Sequence, residues 1–183
     1  QSREGVQRIA TIVTAMKEFS HPGSKSKIEV DLNRIIETTV TVARNEWKYV
    51  AQLETDLDQN LLAVNCLSDE IGQVFLNMIV NAAHAIEAKL GRNPEGDKGQ
   101  ILITTKQCEG FAEIHIVDSG AGIPQYAQHR IFDPFYTTKK VGKGTGQGLA
   151  IVHSVITSKH NGSISFTTKE NEGTTFMIKL PQD

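Results

Sequence analysis

The strongest constraint on the fold is a helical rhythm of apolar residues between positions 69 and 89. Ile71, Val74, Phe75, Met78, Ile79 and Ala82 recur at a spacing close to 3.6. One side of a long helix must therefore be buried. Ser68 stands where a capping side chain is expected, so the pattern predicts a helix over 69–89. A helix with this broad an apolar face needs a sheet or other helices to cover it.

The rest of the chain supplies that cover. Asp31 is placed to cap a helix carrying Leu32, Ile35, Ile36, Val40 and Ala43. Residues 47–56 read as a strand, and 91–99 as a polar loop. Period-two alternation predicts paired strands over 101–106 and 112–117, turning at Glu109-Gly110. A helix follows over 150–158. A second hairpin is expected over 162–168 and 174–180, turning at Asn171-Glu172-Gly173. Together these predict one α/β unit over residues 28–183.

Residues 1–22 form a separate segment. Val6, Ile9, Val13 and Met16 follow a 3-4-3 spacing, the narrow stripe of a helix that packs or pairs. It is too short to be a stable domain alone. Breaker-rich residues follow, with 23–27 as the linker. Lys plus Arg is 19 against 21 Asp plus Glu, a formal charge of −2. That balance argues against a nucleic-acid-coating protein. Cys66 and Cys108 sit in no metal or redox spacing and read as reduced structural thiols. No apolar run is long enough to cross a bilayer and no signal peptide opens the chain, so a cytoplasmic setting is expected. The first residues read as those of an excised piece.

Regular patterning fades between Ser119 and Leu149, and a long irregular stretch inside a compact domain points to function. Three polar features surround it. Gln73, Asn77 and Asn81 share one helix face. Asparagine is a poor helix former, and an amide oxygen can serve a hard cation such as magnesium. Asp118 ends a predicted strand and opens Asp118-Ser119-Gly120-Ala121-Gly122-Ile123-Pro124. A carboxylate there can accept from an exocyclic amine such as that of adenine, while Gly120 and Gly122 let backbone approach a flat ligand. Gly142, Gly144, Gly146 and Gly148 alternate just before a helix, where backbone N–H groups can meet phosphate. Neither the Walker nor the dinucleotide spacing is present. Taken singly, each has a plainer reading: a solvated face, a turn aspartate, a flexible loop.

The order of the motifs is more specific than any one of them. Asn77-x-x-x-Asn81-Ala82, Asp118-x-Gly120-x-Gly122, Phe132-Asp133-Pro134-Phe135-Tyr136-Thr137-Thr138-Lys139, Gly144-Thr145-Gly146-Gln147-Gly148-Leu149 and Gly173-Thr174-Thr175-Phe176 follow one another. This set resembles the catalytic ATPase domain of sensor histidine kinases, in the superfamily shared with gyrase, a heat-shock chaperone and a mismatch-repair ATPase. The Phe-Tyr-Thr-Thr-Lys variant is similar to the nitrogen-regulation sensors.

The resemblance implies a two-layer α/β sandwich: a mixed sheet covered by helices on one face, with a mobile lid over ATP and Mg2+. It implies a nucleotide site lined by Asn81, Asp118, Gly120, Gly122, Ile123, Phe135, Lys139, Gly144, Thr145, Gly146, Gln147, Gly148, Leu149 and Thr175. Asp118 would read the adenine amine, Asn81 would hold magnesium, and Asn77 would be the catalytic residue beside it. Thr175 would join the adenine end, and Phe132 and Phe135 are apolar enough to anchor the lid. Residues 1–22 would be the second helix of a dimerising hairpin. The partners implied are a second copy of the intact protein and a response-regulator receiver domain, with any membrane anchor upstream.

Two departures stand out. None of His21, His84, His115, His129, His153 and His160 precedes an acidic residue, so the phosphoacceptor histidine is expected outside this sequence. His84 stands where many relatives carry Lys, and a solvent-facing histidine is expected. Asn77 replaces the Glu that activates water in the chaperone and mismatch-repair relatives. An ATP-driven conformational ATPase and an anti-sigma-like nucleotide-binding module are the alternative functions.

Overall fold

The computed structural model describes residues 26–139 and 144–182. The predicted helix within residues 1–22, the first three linker residues, and Gly142 lie outside the described residues. The elements run β1 (Ile28–Val30), α1 (Leu32–Val42), α2 (Arg44–Trp47), β2 (Ala51–Leu57), β3 (Val64–Cys66) and α3 (Ser68–Leu90). Then come β4 (Gly99–Cys108), β5 (Phe111–Asp118), α4 (Gln125–Gln128) and α5 (Gly148–His153). A π-helical turn (Ser154–Lys159), β6 (Ser163–Lys169) and β7 (Gly173–Pro181) complete the order.

Five strands form the main sheet in the order β2-β4-β5-β7-β6. β2 runs parallel to β4, and the other pairs are antiparallel. Strand alternation sorts the side chains by face. Ala112, Ile114 and Ile116 of β5 point inward, as do Ile101 and Ile103 of β4 and Phe176, Ile178 and Leu180 of β7. The opposite row carries a surface ion cluster. There Glu113 meets His115 Nε2 at 2.8 Å and Lys179 Nζ at 3.6 Å.

The predicted helix over 69–89 is α3, and it lies over β4 and β5 with α1 and α5 beside it. Ile71, Val74, Phe75, Met78, Ile79 and Ile86 are buried along it. Each such side chain contributes roughly 1.5–3 kcal/mol by leaving water. The two-layer sandwich is therefore held by one central helix on one sheet face. Asp31 caps α1 as expected, accepting from Arg34 N–H at 3.3 Å. Both predicted hairpins are present.

Three local expectations are corrected, and one small sheet is new. The strand expected from residue 47 begins at Ala51, because residues 44–47 form a helical turn and the Trp47 indole donates back to Val40 O at 3.1 Å. Ser68 does not cap α3; Leu67 takes the cap position, with no side-chain bond there. The Leu67 N–H is instead taken by His160 Nε2 at 3.0 Å. The helix expected over 150–158 changes to a π turn after His153. The widening coincides with His160 Nδ1 taking the Val155 carbonyl at 2.7 Å. Since Nε2 accepts, Nδ1 carries the proton, and burial holds this imidazole's pKa below its usual value. Finally, β1 and β3 pair as a small separate sheet that no periodicity announced.

Candidate functional site

Asn77, Asn81 and Ala85 follow one another at spacing four on α3, so they form one row about 12 Å long. The glycine stretch meets one end of that row. A Cβ on Gly148 would lie 3.8 Å from Asn77 Cγ and 4.0 Å from Asn81 Nδ2. The turn after β5 meets the other end. A Cβ on Gly120 would lie 2.6 Å from Ala85 Cβ, and Ala121 N–H donates to Ala85 O at 3.0 Å. Three segments distant in sequence thus converge on one polar helix face.

Asp118 occupies the inward position that follows Ile114 and Ile116 on β5, so strand parity forces a carboxylate into the apolar layer. It is only 7% exposed. Burial pushes its pKa up to about 6, against the lowering pull of the Gly120 and Thr174 backbone N–H groups and Lys89. Gly120 N–H donates to Oδ1 at 2.8 Å. Lys89 itself donates to Ser119 O at 3.1 Å. Gly122 has φ 71°, and a side chain there would strike the Lys169 carbonyl. Asn171 N–H donates to Ala121 O at 2.7 Å. The turn is therefore clamped between α3 and the β6–β7 hairpin, and its one buried charge is an acceptor.

At the glycine end, Lys139 Nζ lies 2.9 Å from His84 Nδ1 and 3.4 Å from Asn81 Oδ1. Burial pulls the Lys139 pKa down to about 8, opposed by Glu87. An ammonium only donates, so His84 Nδ1 accepts and its ring proton sits on Nε2. His84 is therefore half-buried and engaged by Lys139, not the solvent-facing residue expected. The Asn81 amide oxygen already faces a cation, as a hard metal ligand would. Among the described residues, Asn77 Nδ2 is buried with no hydrogen-bond partner. A buried donor left unpaired is costly and marks a place for an acceptor such as a phosphate oxygen.

The other expected residues divide by position. Gly144 lies against Thr137 and Lys139, and Gly146, at φ 68°, lies against the Phe135 backbone. The segments ending at Lys139 and starting at Gly144 thus touch each other. Thr145 and Gln147 face solvent, while Ile123 and Leu149 are half-buried against the core. Phe132 packs inward, its ring centroid 5.1 Å from that of His153 and 6.1 Å from that of Phe166. Phe135 does not: it is 73% exposed with φ 65°. Thr175 pairs with Val117 and lies on the outer face, whereas Thr174 pairs with Asp118 and is buried beside it. The parity of Phe176, Ile178 and Leu180 already carried this signal back to Thr174. Thr168 was also missed; its hydroxyl accepts Ile123 N–H at 2.9 Å and contacts Thr174 Oγ1 at 2.9 Å.

These residues fit a magnesium nucleotide: a buried acceptor at one end, and an unpaired amide donor with a hard oxygen at the other. Among the described residues no cluster of three His, Cys, Asp or Glu could hold a metal. A cation here would draw on the Asn81 oxygen and the nucleotide itself. The chain is 33% identical over 178 residues to the signal transduction histidine-protein kinase AtoS of Escherichia coli (strain K12), covering 96% of this chain and 27% of that protein. It is 30% identical to the sensory histidine kinase/phosphatase NtrB of Rhizobium leguminosarum bv. phaseoli, covering 95% of this chain and 46% of that protein. The chain thus spans less than half of these relatives. The catalytic domain of histidine kinase ThkA superposes with a TM-score of 0.72 at 30% identity, over 85% of this chain and 95% of that one. ThkA in complex with the response regulator protein TrrA matches with a TM-score of 0.70 at 28% identity, over 99% of this chain and 49% of that one. Residues 66–183 match the histidine kinase-, DNA gyrase B- and HSP90-like ATPase profile. That match takes in the asparagine row, the Asp118 turn and the glycine stretch alike, and the chain belongs to this ATPase family.

Proposed function

We propose that residues 28–183 are the ATP-binding catalytic domain of a two-component sensor histidine kinase, with 23–27 as a linker and 1–22 as the second helix of its dimerisation hairpin. The observation that carries this reading is the row from Asn77 to Ala85, with the glycine stretch at one end and buried Asp118 at the other. Asp118 accepts from the adenine amine, with Thr174 rather than Thr175 as its neighbour. Gly120 and Gly122 bring backbone up to the base. Asn77 Nδ2 donates to phosphate, and Lys139 faces the phosphate chain from the lid. Asn81 Oδ1 holds magnesium, whose chemistry there is to offset charge on the phosphates.

The γ-phosphoryl group goes to a histidine outside this sequence and then to a response-regulator aspartate. The protein's part in the transfer is positioning and charge stabilisation. Asn77 orients the attacking imidazole; an amide is too weak a base to drive steady water attack. The domain works on the cytoplasmic side, as a dimer through the hairpin. Among the described residues no helix is long and apolar enough to cross a membrane.

The test mixes the chain with γ-labelled ATP and a separate polypeptide carrying a dimerisation hairpin with a histidine followed by an acidic residue. Acid-labile label on that polypeptide is the expected result. Phosphate release without transfer would instead make the chain a conformational ATPase. Binding without either would make it a nucleotide-sensing module.

A further inference from the structure

The inward row across the sheet does not stop at Asp118. Asp118 pairs with Thr174 of β7, and Thr174 pairs with Thr168 of β6. Thr168 Oγ1 makes three contacts. It accepts Ile123 N–H at 2.9 Å, donates to Gly173 O at 3.1 Å, and lies 2.9 Å from Thr174 Oγ1. A hydroxyl has one proton and two lone pairs. The Thr168 proton is used on Gly173 O and one lone pair on Ile123. With the proton so placed, Thr174 is the donor in the threonine pair, and its own oxygen keeps only lone pairs.

We propose that Thr168 is a positioning residue that sets base specificity: by taking the Thr174 proton it makes Thr174 a second acceptor beside Asp118. The site then presents two acceptors where the base edge arrives. It favours an amino group there and opposes a carbonyl, because an acceptor facing an acceptor leaves both unpaired. Through Ile123 N–H the same hydroxyl ties the turn after Gly122 to β6. Thr167, one position away, is exposed on the outer face and pairs with Thr175. It makes a matched control.

This inference rests on the reading of Asp118 as the adenine acceptor. It is tested by titrating ATP and inosine triphosphate, which carries a carbonyl in place of the amine, into the whole chain. In Thr168→Val the Thr174 proton is released to turn inward. ATP affinity should fall, inosine triphosphate should lose less or gain, and the ratio between them should drop roughly tenfold. Thr168→Ser should restore the ratio, and Thr167→Val should leave it unchanged. An unchanged ratio in folded Thr168→Val overturns the inference while leaving the Asp118 reading intact. No preference for ATP in the wild-type chain overturns both. Hydrogen exchange on the wild-type chain needs no variant. The Ile123 amide should be protected, and exchange at the rate of an open loop would also overturn the inference.

Discussion

Asp118→Asn should make the protein more stable and a worse nucleotide binder. The folded state raises this carboxyl from 3.8 to about 6. Two pKa units correspond to about 3 kcal/mol of destabilisation of the charged form. Asparagine removes that charge at nearly constant shape and keeps the oxygen that accepts Gly120 N–H. It loses the pull of Lys89 and turns its amide group toward the Thr174 N–H, which takes back about 1–2 kcal/mol. The net gain is about 1–2 kcal/mol above pH 7, or roughly 3–6 °C in Tm for a domain of this size. The sign has a pH signature. A carboxyl whose folded pKa is raised destabilises the fold fully above about pH 6, and the penalty fades as pH falls toward 3.8. The gap between variant and wild type should therefore shrink below pH 7 and change sign by about pH 4, because a penalty of about 3 kcal/mol fades against an offset of about 1–2. Urea unfolding at several pH values measures it. Binding moves the other way: a hydrogen bond to a charged acceptor contributes roughly 1.5–3 kcal/mol, so ATP affinity should fall about 10- to 150-fold. A variant less stable at pH 7.5, or a gap independent of pH, would refute the account of Asp118 as a strained acceptor. Undiminished ATP affinity would refute its role in reading the base.

Further outcomes follow from other contacts. Asn81→Ala should reduce the magnesium-dependent part of ATP affinity about tenfold while sparing the magnesium-free part, read by calorimetric titration with and without the metal. Gly173→Ala should destabilise by on the order of 3 kcal/mol or more in urea unfolding. Its φ is 130° and a side chain there would run into the Asp118 carbonyl. His160→Phe should cost roughly 2–4 kcal/mol, because Leu67 N–H and the Val155 carbonyl both lose their partner. Burial lowers the folded pKa of His160 below its ordinary 6.5, so wild-type stability from this group is present above that pH and is lost as pH falls through the folded pKa. The variant should lack that acid slope in a pH series of unfolding curves.

What could be read from the sequence follows the strength of its periodic signals. α3 was plain because Ile71, Val74, Phe75 and Met78 repeat over many turns. The two hairpins were plain because alternation and Gly110 or Gly173 turns coincide. β1 and β3 are three residues each and carry no period. Their pairing is a long-range fact, set by Ile28 meeting Cys66. The cap of α3 was misread for a related reason. Ser68 is local and visible, but the partner that takes Leu67 N–H is His160, 93 residues away. Local propensity suggests which groups can pair, while tertiary packing decides which do.

The same distinction explains why the asparagine row was found and the threonine row was not. Asn77 and Asn81 violate helix propensity in a helix strong enough to be certain, so the violation itself points to the site. Threonine in a strand violates nothing, and Thr168, Thr174 and Thr175 look alike in sequence. Register separates them, and register is a relation between strands. Yet the parity argument was available within β7: Phe176, Ile178 and Leu180 must face inward, and counting back by twos reaches Thr174 and Asp118's own row. The base end of the site is thus built from residues that are ordinary one at a time. Their chemistry arises from alignment, where a single hydroxyl proton on Thr168 fixes what Thr174 can offer and leaves Asp118 with an ally instead of a competitor.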